Sequence, residues 1–146
     1  MKKLLASIIC FSLSALIVVA GGDAKTTPKV EGSWTAISAI SKGKKLPDEV
    51  ITKVMLVVTF KEGKYGVTIM GKEIEAGTYK VDAKKKPAEI DMTITEGQDK
   101  GKMQLAIFKI EADTATFAIG KAGSTDRPKN FEGGEDIEIT VLKRNK

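Results

Sequence analysis

The chain has 146 residues, a net charge of +5, one cysteine and no histidine. That length is one domain's worth with room for its own core, and the missing histidine removes Ser-His-Asp and Cys-His catalysis, histidine-ligated metals and histidine pH switching. Carboxylates, lysines, tyrosines and serines remain, and they form no recognisable nucleophile and base pair, so neither an enzyme nor a resident metal or cofactor is expected.

The opening stretch, "MKKLLASIICFSLSALIVVAGGDA", places Lys2 and Lys3 before an uncharged run and ends in small residues. This is the pattern of a secretory leader over residues 1–20, cut after Ala20 or, as the alternative, after Ala24. An uncleaved membrane anchor competes with that reading, but Ser7, Ser12 and Ser14 interrupt the run, which is short for the about 20 residues of a span. Cys10 lies inside the leader behind Ile9, a poor setting for lipid attachment, so the exported chain would carry no thiol. The expected address is periplasmic or secreted. Removing Lys2 and Lys3 from the 24 basic residues leaves a net +3 against 19 acidic ones, a mild bias. The basic residues are not interleaved with stacking aromatics, so nucleic acid is not an expected partner.

From Gly32 onward, short apolar alternations separated by glycine, proline or charged turns predict an all-β meander in the domain over residues 25–146. The first strand, 33–40, carries Trp34, the lone tryptophan. Next, "LPDEVITKV" predicts a helix of about two turns, because Pro47 can open one and Asp48 and Glu49 suit the positive end of its dipole. Val50, Ile51 and Val54 would face the sheet. Strands follow at 54–61, 65–70, 74–81, 89–95, 103–110, 114–120 and 137–143. Turns at Glu62-Gly63, Gly71-Lys72, 83–87, 97–101 and Ala112-Asp113 join them as antiparallel neighbours.

Eight up-and-down strands have exposed edges unless the sheet closes, and at eight the interior is either filled or holds one small ligand. An eight-stranded antiparallel barrel with one short helix between the first two strands is therefore the expected fold. Trp34, Ala36 and Ile40 should point inward, as should Phe60, Tyr79, Phe117, and Ile137, Ile139 and Val141 of the last strand. In the sixth strand the alternation is ambiguous: Ala106, Phe108 and Ile110 compete with Leu105 and Ile107.

The Gly32-x-Trp34 at the start of the first strand resembles the lipocalins and the wider calycin group. That resemblance implies that Gly32 and Trp34 close one end, with Arg144 lying across the indole in a contact worth about 0.5–2 kcal/mol. A closer similarity runs from Gly32 to Arg144. Gly77-x-Tyr79-x-x-Asp82, Pro87-x-x-Ile90-Asp91, Ala106-Ile107-Phe108, Ala112-Asp113-Thr114, Arg127-Pro128-x-x-Phe131 and Leu142-Lys143-Arg144 follow in order. Together they are similar to an uncharacterised lipocalin-like domain family abundant in planctomycete bacteria. Where that family has Gly-Asp-Thr this chain has Ala112-Asp113-Thr114, which suggests a turn without positive φ. Its Gly-Ile-Tyr is replaced here by Ala106-Ile107-Phe108, which removes a hydroxyl.

The acid pairs Glu73/Glu75, Glu89/Asp91 and Asp136/Glu138 each share a strand face; a glycosidase-like pair has this form, but a solvated outer face is the expected role. The long loop 121–135 offers Arg127 to hold an anionic group at the barrel rim with Phe131 as an apolar lid. Alternatively, Phe131 plugs the barrel end and Arg127 pairs with Asp126 or Glu132. Two functional readings follow. One is an exported monomer binding a small apolar or amphiphilic ligand through Trp34, Phe60, Tyr65, Tyr79 and Phe117. The other is a structural or protein-interaction module of the cell envelope with a filled core. A void above roughly 300 Å³, the lower end for small-molecule pockets, would favour the first.

Overall fold

The computed structural model describes residues 29–146; the leader, both cleavage points and Cys10 lie outside the described residues. The elements are β1 (Gly32–Ser41), β2 (Lys44–Lys45), α1 (Asp48–Val54), β3 (Val57–Lys61), β4 (Lys64–Ile69), β5 (Lys72–Asp82), β6 (Ala88–Gly97), β7 (Met103–Glu111), β8 (Thr114–Gly120) and β9 (Ile137–Arg144). From β3 to β9 each strand pairs antiparallel with the next; β1 pairs with β3, and β9 returns to β1 with Trp34 opposite Arg144 and Ile40 opposite Ile139. The fold is thus a closed eight-stranded, all-β, lipocalin-like barrel, and closure leaves no long open edge. The two-residue β2 is an appendage on the far end of β1.

The hairpin turns Lys42-Gly43, Glu62-Gly63 and Met70-Gly71 have positive φ at both central residues, the geometry whose twist matches the flanking strands. Ala112 has φ of 55°, which corrects the expectation of a turn without positive φ there. Glu111 pairs with Thr114, leaving a two-residue loop, and such loops demand positive φ at their first position whichever residue occupies it.

Pro47 caps α1, Asp48 and Glu49 fill its first turn, and Met55 ends it in the left-handed conformation at φ of 45°. Val54 therefore belongs to the helix and β3 begins only at Val57. Ile51 alone of the expected apolar side is buried; Val50 remains exposed.

The interior holds Trp34, Ala36, Phe60, Ile90, Met92 and Phe117, with Val58, Val67, Tyr79 and Ile119 packed against them. In β7 the inward set is Ala106, Phe108 and Ile110. Ile40, Ile137 and Ile139 do not face inward; with Ile107, Ala118 and Phe131 they form a second apolar cluster, and Leu142 fills the interior instead of Val141. Two causes explain the correction. A bulge in β1 shifts its register to β9 between Ala36 and Ser38, so Ala39, not Ile40, joins the inner packing, since one extra residue reverses the faces beyond it. The outer apolar residues are buried because the loop carrying Phe131 lies over them.

Candidate functional site

The two ends of the barrel differ. At the end where β1 begins and β9 finishes, Trp34 is fully buried. Its indole N–H donates to Val30 O at 2.8 Å, which satisfies the one polar atom the ring takes out of water. The Arg144 guanidinium lies 4.0 Å from the ring centroid, Nη1 donating to Glu31 O at 2.7 Å and Nη2 to Lys29 O at 2.8 Å. One β9 side chain thus ties down the segment that precedes β1 and covers the indole of β1 itself. Gly32 makes this possible: its φ is 126°, and a Cβ there would stand 2.8 Å from Arg144 Nη1.

Above the indole, aromatic rings cross the interior. Phe108 stacks on Phe117 at 5.4 Å, Phe117 on Phe60 at 5.8 Å, and Tyr79 meets Phe60 edge-on at 5.1 Å. These are the offset and edge contacts aromatic pairs prefer. They fill this half of the barrel, and neither Trp34 nor Tyr79 lines the cavity at the other end. Phe108 was one of two alternatives in the sequence; its parity with Ala106 settles it inward.

Toward the other end the interior is not filled. A cavity of about 210 Å³ is walled by Leu56, Val58, Phe60, Val67, Met92 and Phe117. Its polar groups are Tyr65, Glu75, Gln104, Glu138 and Thr140, and it reaches solvent past exposed Ile74 and Glu138. Beyond lies a wider polar vestibule of about 460 Å³ that shares Glu75, Gln104 and Glu138 and adds Asp99, Lys42, Lys102 and Lys121. Helix α1 flanks this mouth: Leu46, Ile51 and Val54 line a small hollow that shares Leu56, Glu138 and Thr140 with the cavity.

Glu75 is the site's unanticipated residue. Expected on a solvated face beside Glu73, it is half-buried and accepts a hydrogen bond from the Tyr65 hydroxyl at 2.9 Å. The cause is a bulge: β4 pairs Val67 with Glu75 but Thr68 with Glu73, which takes the two acids off a common face. Gly77 seats the phenol, because a Cβ there would lie 2.7 Å from Tyr65 Cε1 and 2.0 Å from Thr93 O. The signal was present in the sequence: Glu75, Gly77, Tyr79 and Val81 alternate on one face. Glu138 was missed with the parity of β9; it shares a face with Thr140 and Leu142 and accepts from Ser41 Oγ at 3.2 Å.

Burial raises the Glu75 carboxyl above the ordinary carboxylate range; the Tyr65 hydrogen bond opposes this, and the charges of Asp99 and Glu138 add to it. Tyr65 is pushed upward by burial first, then by its hydrogen bond to Glu75 and that group's charge. Burial also raises Tyr79, with the charge of Glu31 adding and a backbone hydrogen bond at Gly63 opposing.

Arg127 and Phe131 are at neither the rim nor the barrel end. Arg127 lies on the outer wall, where it pairs with Asp91 and, at 3.5 Å, with Glu89, and its Nη1 donates to Ala106 O at 2.9 Å. Its partners are thus the outward acids of β6, not Asp126 or Glu132. Phe131 packs on Ile107, Ala118 and Ile139, with Lys109 Nζ 5.4 Å from its ring centroid. Together they strap the long loop to the outside of the barrel. Of the seven residues expected to contact a ligand, Phe60, Tyr65 and Phe117 line the cavity. Among the described residues no group of three or more acids is placed to hold a metal.

Compared with known proteins, the chain matches no family model and no curated protein.

Proposed function

We propose that the protein is an exported lipocalin-like binding module that takes a small amphiphile, or the apolar tail of a larger one, into the unfilled end of its barrel. The observation that carries this reading is the asymmetry of the interior: one half is sealed by Trp34 and packed with rings, whereas the other holds an apolar cavity of about 210 Å³ open to solvent. That volume falls below the roughly 300 Å³ at which ordinary small-molecule pockets begin, so the occupant is small or only partly enclosed. Export rests on the leader pattern of residues 1–24.

The test uses N-phenyl-1-naphthylamine, an apolar dye that brightens out of water. Its fluorescence should rise with the wild-type protein and fall back with Ile119→Phe, which fills the cavity from β8. Binding undiminished in a folded Ile119→Phe variant would refute the site. Cell fractionation with N-terminal sequencing should recover a chain beginning after Ala20 or Ala24.

The modest cavity also supports a second reading, an envelope interaction module acting through its outer surface. Recovery of one macromolecular partner by cross-linking in intact cells, combined with no dye binding, would favour it.

A further inference from the structure

Resting on the binding reading above, we propose that the cavity selects a primary aliphatic amine, its chain among Leu56, Val58, Val67 and Met92 and its ammonium group at Glu75. The cavity lining contains two carboxylates, Glu75 and Glu138, and no basic side chain. The nearest lysines line the outer vestibule instead: Lys102 is held by Asp99 at 2.7 Å and Lys121 by Asp136 at 3.5 Å, while Lys42 is in no ion pair among the described residues. Among the described residues neither Glu75 nor Glu138 is within ion-pair distance of a base.

Glu75 is nonetheless fixed rather than free. Tyr65 donates to one carboxylate oxygen, which leaves the second Glu75 oxygen to accept from a ligand. The placement is also unfavourable by itself, since a carboxylate drawn out of water near like charges has its ionised form disfavoured. A cation arriving at that oxygen relieves both effects, whereas an anion adds to them. Charge-assisted hydrogen bonds of this kind are roughly twice as strong as neutral ones. Selection between ligands of the same chain length therefore falls to the headgroup.

Titration calorimetry of the purified protein with hexylamine, hexan-1-ol and hexanoate at neutral pH tests the assignment, with methyl chemical shifts of Val67 and Met92 reporting entry into the cavity. Hexylamine should bind about tenfold or more tightly than hexan-1-ol, a gap of one decade in Kd, and hexanoate weakest. Glu75→Gln, which keeps an acceptor for Tyr65, should erase the amine preference by bringing hexylamine down to the affinity of hexan-1-ol. Hexan-1-ol binding as well as hexylamine, or a preference that survives Glu75→Gln, overturns the headgroup assignment while leaving the cavity reading intact. No binding by any of the three overturns both.

Discussion

The sealed and open ends of the barrel are made of similar strands, yet they spend their side chains differently. At the sealed end every polar group brought inside has a partner: the indole N–H reaches Val30, and Arg144 donates to two backbone carbonyls while covering the ring. At the open end a carboxylate is drawn part-way into a largely apolar cavity with one phenol donating to it and like charges near by. One end is arranged for stability, and the other carries a placement that stability alone would not select.

That contrast can be broken at the sealed end first. Trp34→Ala removes a fully buried ring and strands Arg144 over a void, so a loss of about 3–5 kcal/mol is expected in denaturant unfolding, the range for large-to-small aromatic core substitutions. A loss under about 1 kcal/mol would mean the indole is not the keystone of this end. Arg144→Lys keeps the charge but not the planar fork that reaches Glu31 and Lys29 together, and it should cost about 1–2 kcal/mol by the same measurement. Full retention of stability would reduce the contact to simple electrostatics.

Smaller effects sharpen the comparison. Ala112→Gly relieves a left-handed alanine at φ of 55° and should raise stability by about 0.5–1 kcal/mol, strain relief exceeding the added unfolded-state entropy. At the open end the effect is one of pH. Because burial raises the Glu75 carboxyl in the folded chain, the folded state holds this proton to higher pH than the unfolded one. Stability therefore declines as pH rises from the ordinary carboxylate range through the raised folded value, and is level above it. Glu75→Gln should remove that decline, a change under about 1 kcal/mol given how far the group is exposed to water. Thermal melts between pH 4 and 8, a range of about four units spanning the carboxylate region, would show parallel curves for both proteins if the site exerted no such strain.

Much of the fold was legible because closure follows from counting. Eight alternating segments joined by short turns have few ways to avoid open edges, and Gly32, Trp34 and Arg144 announced which end would be sealed. The candidate site was only half legible. Phe60, Tyr65 and Phe117 could be placed by alternation, but alternation holds only while the register runs unbroken. A bulge beside Ala36 in β1 reverses it locally and turned Ile40 outward, and a bulge beside Val67 in the β4 to β5 pairing parted Glu73 from the face that Glu75 shares with Tyr79. Ile137 and Ile139 misled for another reason: their apolar face is covered from outside, and no periodicity distinguishes an inner core from an outer wall roofed by a loop.

The amino-acid order alone determined the barrel class, the strand sequence, the helix opened at Pro47 and the exclusion of histidine chemistry, because these depend on local pattern and composition. Tertiary structure alone decided that Arg127 grips Asp91 on the outside, that the rings stop half-way, and that Glu73 leaves the face on which Glu75 lines the cavity. Each of these depends on which residues lie opposite one another after the bulges, and that pairing is set by the packed whole.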